Sequence, residues 1–526
     1  VSNLKAALAT AEEQMKDYTL TTDQLTKAKN LLNSRISSVD KRIYCSGSAC
    51  GSDADLQNPN NQWCYERSMQ SKHWILFWEA GYGKTAPSSV ESILNTADKI
   101  FEFYADSLKY LTINQGKSKT DTYKMIIRLR HTDEWEASGS GIDNIIGLLT
   151  LSRWAYTSRD GQTVAHEIGH CFQYQTHCDN NNQNGWMYTW ANSGNGNVFW
   201  EMCAQWQAYK FYPGMQFNNE WLNNTLNGFH KNPLAEELRY NNYFIQDFFC
   251  HKQGIDALAN LWNKSQNPED PFQTYMRLYM GSKLTSAQKL EQFNNEMWEY
   301  GARLTTFDMD GIRERGAGTI GKRQQTQLTK DADGYWCSVA ADCVENFGNN
   351  AIRLNVPTTD KTIYVDFAGE AGKSGFIKYN VTKAGWKLGF VALKKDGTRL
   401  YGDVATATYK NPEASIQFDC PSDCSYLWLV VSGAPTSYWS RGWNGTTSDD
   451  EQWPYKVKFY QTNVYGNANN DEVPSGISTI TMGAENRGVN NNNVYTISGQ
   501  LVRQGSTSLE GLPKGIYIVG GKKVVK

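Results

Sequence analysis

The sequence predicts a multidomain fold: an α+β domain, then a β-sandwich, then a small β tail. Three observations predict it. The chain has 526 residues, well beyond the ~250–300 that one hydrophobic core spans. Between residues 43 and 310, short apolar runs alternate with segments of helical spacing. After 332 the hydrophobic period falls to two, in short runs separated by Gly, Pro and Asp turns.

Residues 1–42 read as a helical hairpin. Leu4, Leu8, Ala11 and Met15 recur at helical spacing, and Thr21, Thr22 and Asp23 cap a second helix carrying Leu25, Ala28, Leu31 and Leu32. A hairpin of that size buries little alone, so it packs on its neighbour or acts as a spacer. The α+β domain spans 43–310. It opens with a loop-rich stretch holding Cys45, Cys50 and Cys64, then a buried strand at Trp74-Ile75-Leu76-Phe77-Trp78 ending near Gly81 and Gly83. Helical spacing follows over 87–110, a strand over 123–129 and a turn at Gly139-Ser140-Gly141. Residues 162–176 and 197–212 read as helices, and helical patterns dominate 215–305. The polar stretch 311–332 reads as a linker. The sandwich spans 333–468, with strands near 351–356, 362–367, 387–392 (a looser alternation), 426–431 and 455–459. A second linker covers 469–485. The tail, 486–526, holds short strands at 494–497, 501–503 and 515–519.

Composition excludes several function classes. Lys+Arg total 52 and Asp+Glu 54, a net charge of -2. That balance supports neither nucleic-acid binding by phosphate neutralisation nor a polybasic membrane anchor. No run of 18 apolar residues offers a transmembrane helix. The 18 Trp, 29 Tyr and 20 Phe demand burial or a binding surface. The start, Val1-Ser2-Asn3, reads as that of a trimmed or processed chain. Of 11 cysteines, the close pairs Cys337/Cys343 and Cys420/Cys424 suit disulfides in an oxidising compartment, and Cys171 with Cys178 could fasten a loop. The odd count leaves at least one free or paired outside the chain.

The strongest chemical signal is His166-Glu167-Ile168-Gly169-His170. Residues four apart share one helix face, so both imidazoles can meet one Zn²⁺ while Glu167 reaches a water beside it. Gly169 permits close approach of other backbone. A third ligand is required. Glu201, within an otherwise apolar helix over 199–206, is the leading choice because a buried carboxylate needs a partner. His177 is the rival. Trp186, Tyr188 and Trp190, between the two helices, form a substrate wall or pack as core. Donors for a developing oxyanion are sought among His230, His251, Tyr240 and Tyr243, with His230 favoured. Calcium is a weaker cofactor reading: Asp308-Met309-Asp310-Gly311 and Asp331-Ala332-Asp333-Gly334 resemble starts of calcium loops but lack the full spacing, and read as turns.

Residues 166–173, with the aromatic-rich loop and Glu201 downstream, resemble gluzincin-type zinc metallopeptidases, nearest to enhancin-like enzymes and related uncharacterised secreted Bacteroidetes proteins. Residues 73–79, 431–436 and 451–455 look like parts of that secreted group, so the resemblance covers about 60–470. It implies a zincin-like catalytic domain over 43–310, with His166, His170 and Glu201 as zinc ligands and Glu167 as general base. It also implies a protein or glycoprotein substrate. The tail resembles a Bacteroidetes C-terminal secretion-sorting domain, which implies a secreted or cell-surface protein. The sandwich would bind substrate or glycan, and a monomer is expected. The competing reading is a surface-associated glycan- or protein-binding protein with a structural or relic metal site.

Overall fold

The computed structural model describes residues 41–181, 188, 198–323, 326–442, 445–474, 493–496, 501–503, 506–512, 516–519 and 522–525. The expected helical hairpin, apart from its last two residues, lies outside the described residues, as do Trp186, Trp190, much of the second linker and parts of the tail. The chain divides into two compact units, Val1–Val473 and Pro474–Lys526.

The first unit has an α+β part and a β-sandwich part. Its N-terminal sheet comprises β1 (Ser68–Gln70), β2 (Trp74–Trp78), β3 (Met125–Arg130), β4 (Ala137–Ile142) and β5 (Ile146–Ser152), in the order β1-β2-β3-β5-β4. The three central strands β2, β3 and β5 are parallel, and β1 and β4 are antiparallel edges. Every residue of β2 and β5 is buried, the signature of central strands covered on both faces. The segment 139–141, expected as a turn, is instead inside strand β4. Its glycines serve close packing: a Cβ on Gly139 would fall 1.9 Å from the Glu167 carbonyl oxygen, and one on Gly141 2.0 Å from the Tyr174 ring. A bare strand thus lets the motif helix lie against the sheet.

Five helices matter for the site and its support: α1 (Val90–Glu102), α2 (Gln162–Asp179), α3 (Phe199–Phe211), α4 (Phe244–Gln253) and α5 (Ser286–Leu304). The stretch read as a linker, 311–332, carries a helical turn at Arg313–Gly316 and strand β6 (Leu328–Lys330). The sandwich continues with β7 (Trp336–Ser338), β8 (Asn349–Leu354), β9 (Lys361–Gly369), β10 (Gly385–Lys394), β11 (Arg399–Thr408), β12 (Glu413–Cys420), β13 (Cys424–Gly433) and β14 (Tyr455–Tyr460). One sheet runs β11-β10-β13-β8 and the other β12-β9-β14-β7-β6. Trp386, Phe390 and Leu429 meet Phe367, Val457 and Phe459 between them. The outer face of the first sheet packs on α5, where Trp298 donates its indole N–H to the Val430 carbonyl at 3.2 Å. A Cβ on Gly389 would meet that indole at 2.4 Å. Covered on both faces, β10 is buried along nearly its whole length, whereas β9 alternates.

The segment after α3 is stitched to the sandwich. The Asn349 N–H donates to the Phe229 carbonyl at 2.7 Å, and the Glu345 N–H to the His230 carbonyl at 2.9 Å. The Asn232 N–H donates to the Glu345 carboxylate at 2.8 Å. Burial pushes Glu345 up to about 7, against the pull of Arg441 and Asn232. The sign follows from linkage. An unfolded glutamate loses its proton near 4.5, whereas folded Glu345 keeps it to about 7. Its contribution to stability therefore falls as pH rises through that window and is flat above it. Relative to the native protein, Glu345→Gln should gain up to about 3 kcal/mol between pH 4.5 and 8, read as the difference in unfolding free energy. An unchanged difference would contradict the assignment.

Disulfides differ from expectation. Cys45 and Cys50 are bridged. Cys337, Cys343, Cys420 and Cys424 are free thiols, although Cys420 and Cys424 hydrogen-bond each other. Cys171 and Cys178 are also free. Seven residues on one helix separate them by about 10 Å, beyond the reach of a bridge.

The second unit holds a four-stranded antiparallel sheet, order β16-β15-β17-β18, of β15 (Val494–Thr496), β16 (Leu501–Arg503), β17 (Ile516–Val519) and β18 (Lys522–Val525). Among the described residues, no helix is long and apolar enough to cross a membrane.

Candidate metal centre

Helix α2 begins after three successive residues at positive φ: Arg159 (49°), Asp160 (50°) and Gly161 (88°). Nearly all of α2 is buried, including its polar residues Gln162, Gln173, Gln175 and Thr176. It is clamped between β4 and α3. On the α3 side a Cβ at Gly169 would lie 3.2 Å from the Ala204 Cα, so glycine permits the close approach that the sequence anticipates.

One helical turn brings His166 and His170 into edge-on contact, with ring centroids 4.7 Å apart. Their Nε2 atoms are 3.1 Å apart. From the first turn of α3, Glu201 Oε2 comes within 2.9 Å of His166 Nε2 and 3.2 Å of His170 Nε2. The three residues are 7, 2 and 6% exposed, respectively. Among the described residues this is the one group of three His, Cys, Asp or Glu side chains whose ligand atoms converge, all within 4.8 Å of one another.

The donor set fits a zinc ion. Ligands held tetrahedrally at 2.0–2.1 Å stand about 3.3 Å from one another, close to the three separations in this cluster. The ring atoms facing away are engaged as a metal site requires. Gln205 Oε1 lies 3.0 Å from His166 Nδ1, and Gln173 Oε1 lies 3.0 Å from His170 Nδ1. An amide oxygen accepts only from Nδ1–H, which leaves each Nε2 lone pair free to ligate. The glutamines are themselves anchored: Gln162 donates to Gln205 Oε1 at 2.6 Å, and Gln173 donates to the Trp200 carbonyl at 2.9 Å. Tyr240 donates to the second Glu201 oxygen at 3.0 Å.

The three side chains also attract one another. Burial works against a charged His170, but the Glu201 carboxylate outweighs it and holds this histidine above its ordinary value. Burial likewise raises Glu201, yet His170 and His166 hold it well below the usual carboxylate range. Burial first, and then the charge of Glu201, raise Tyr240 and keep its hydroxyl a donor.

The cluster forms the floor of an open cavity of about 340 Å³, walled by Trp135, Arg159, Trp200, Trp221 and Tyr240. Glu167 is on that wall, only partly buried, and is not one of the converging three. The structure does not bring His230 to the cavity. It lines a separate small cleft with Arg323 and Asn350, because its backbone is tied to the sandwich. Of the four donors considered, Tyr240 is the one at the cluster. Tyr243 donates to the Gln216 carbonyl, and His251 pairs with Asp310. His177 is seven residues past His170 on the same helix, about 10 Å along its axis, and outside the converging set. Tyr188 is core: its hydroxyl donates to Thr274 at 2.7 Å. Asp308 is held by Arg303, Arg313 and Tyr401, and Asp331 accepts backbone N–H groups within its turn. Gln173 and Gln205 escape sequence reasoning, although each had a signal. Gln173 follows His170 by three and Gln205 follows Glu201 by four, the spacings of same-face neighbours.

A family model described as "Family of unknown function (DUF6055)" matches residues 36–466. No curated protein matches the sequence. Among solved structures, the chain is similar to a functionally unknown conserved protein from Bacillus anthracis str. Ames, at 14% identity and a TM-score of 0.27, over 50% of this chain and 52% of that one. It thus spans about half the length of that relative. It is similar to the C-terminal family 22 carbohydrate-binding module of Clostridium thermocellum Xyn10B (14% identity, 27% and 82% covered, TM-score 0.16). It is also similar to the M60 catalytic domain with two CBM51 domains from Clostridium perfringens ZmpB (10% identity, 74% and 59% covered, TM-score 0.26). Likenesses at these scores carry no argument about activity.

Proposed function

We propose that this chain, which belongs to the family of unknown function DUF6055, is a zinc-dependent metallopeptidase acting on proteins or glycoproteins. One observation carries the reading: His166, His170 and Glu201 converge at 2.9 to 3.2 Å on the floor of an open cavity that Glu167 also lines. Two histidines of one helical turn and a glutamate of the next helix form the gluzincin-type ligand set that the sequence resembles, which supports a zincin-like reading of 43–310. When bound, Zn²⁺ supplies Lewis acidity toward a carbonyl oxygen and lowers the pKa of water. Glu167 accepts the water proton and returns it to the leaving amine. Gln173 and Gln205 hold the imidazoles in one tautomer. Tyr240 donates its one O–H to Glu201 and so fixes that carboxylate. Resemblance of the tail to secretion-sorting domains, together with the Cys45–Cys50 bridge, supports a secreted or cell-surface protein.

Hydrolysis of casein and of mucin by zinc-loaded protein, set against Glu167→Gln, tests the proposal. A second reading, a surface glycan- or protein-binding protein with a structural metal, is favoured by the open aromatic cleft on the sandwich described next. Retained metal with no cleavage of either protein would select it.

A further inference from the structure

The sandwich carries a cleft of its own. Pairing places Arg353 of β8 directly across from Trp428 of β13. Strand alternation sends Ile352 and Leu354 into the sandwich core and Arg353 to the opposite face. Helix α5 covers that face at Ala351, Trp428 and Val430, and Tyr426 at its margin is only partly buried. There Trp428 and Tyr426 stack with ring centroids 5.3 Å apart and planes 5° from parallel. The Arg353 guanidinium lies beside this pair, 4.9 Å from the Tyr426 ring centre and 3.8 Å from that of Tyr465. Tyr465 is 50% exposed. Arg353, Tyr426 and Tyr465, with Asn355 and Asn469, border an open cleft of about 440 Å³.

The unusual member is Arg353. Among the described residues its side chain has no hydrogen-bond or ion-pair partner, and no carboxylate lines the cleft. The Tyr426 and Tyr465 rings both lie against its guanidinium carbon, contacts that use none of its N–H groups. A planar fork held this way is pre-organised for two parallel hydrogen bonds to a carboxylate. The rest of the wall mixes polar groups with the apolar Leu354, Val356 and Cys424, a lining that suits a hydroxylated ring. A half-exposed tyrosine offers a flat apolar face, and the Asn469 amide, held through its oxygen by Asn355 at 2.8 Å, offers neutral N–H donors. The volume lies within the range of small-ligand clefts.

We propose that this cleft binds a sugar ring bearing a carboxylate, such as a uronic or sialic acid residue, with Arg353 on the carboxylate and Tyr465 beneath the ring. The site is separate from the metal centre and stands whether or not that centre is catalytic.

The test is titration of the full chain with glucuronate, N-acetylneuraminate, glucose, acetate and N-acetylglucosamine 6-sulfate, followed by ligand-observed NMR. At least one carboxylated sugar should bind, and glucose and acetate should bind about tenfold more weakly or worse. Arg353→Gln should weaken the carboxylated sugar by about tenfold and remove the preference over glucose. Arg353→Lys keeps the charge but loses the fork, and should recover only part. Tyr465→Ala, at an exposed position, gives a second reading should Arg353→Gln fold poorly. Absence of binding by both carboxylated sugars would overturn the proposal. So would equal binding of glucose or acetate, preference for the sulfated sugar, or binding indifferent to Arg353 and Tyr465.

Discussion

Glu167→Gln should lower peptide hydrolysis by about 10³-fold or more while leaving the zinc content at one per chain. General-base catalysis contributes about 10²–10⁴, and among the described residues lining the cavity no other carboxylate is free to replace it. Glu201 is the other carboxylate bordering the cavity, and its two oxygens are taken, one by the histidine pair and one by Tyr240. Glutamine keeps the shape of the wall and removes only the proton acceptor. Because Glu167 is outside the converging set, the substitution should not alter metal stoichiometry or the unfolding temperature of the zinc-loaded protein. Activity surviving at more than about a tenth of the native level would assign the base elsewhere. A parallel loss of metal would show that the residue acts by holding the ion.

Glu201→Ala should give the largest combined loss, removing the metal, the activity and part of the stability together. Its carboxylate is buried against two imidazoles, and breaking such a buried arrangement from one side costs about 3–5 kcal/mol. The metal adds a separable part. An ion that binds only the folded state stabilises it by about 4 kcal/mol when free metal exceeds Kd a thousandfold. Chelator should therefore lower the unfolding temperature of the native protein and leave that of Glu201→Ala unmoved. Equal sensitivity of both proteins would mean that zinc, if bound, is held by other residues.

How far the site could be read from sequence depended on whether a local rule governed it. His166, Glu167 and His170 needed only helical spacing. Glu201 was legible because a carboxylate in an apolar helix demands a partner. His230 was favoured over Tyr240, yet Tyr240 is the one at the cavity, since both sit in an irregular segment whose path is set by its bonds to the sandwich at Glu345 and Asn349. The fold shows the same division. Strand β9 faces the core on one side only and its alternation is plain, while β10 is sealed by α5 on its outer face and loses the pattern. In β4 the glycines suggested a turn, yet they serve the approach of Glu167 and Tyr174 from α2. That is a tertiary requirement with no mark in the local sequence. The cysteine pairs misled for a related reason: short separation along the chain permits a bridge but does not set the distance between thiols.

The central claim is that one zinc ion is held by two imidazoles and one carboxylate beneath an open cavity. Anomalous diffraction at the zinc edge, on protein purified without chelator, tests it most directly. The account predicts a single peak about 2.0–2.2 Å from His166 Nε2, His170 Nε2 and Glu201 Oε2, with its fourth position facing the cavity beside Glu167. A crystal with no peak there after zinc addition, or with zinc bound only at other residues, would contradict it.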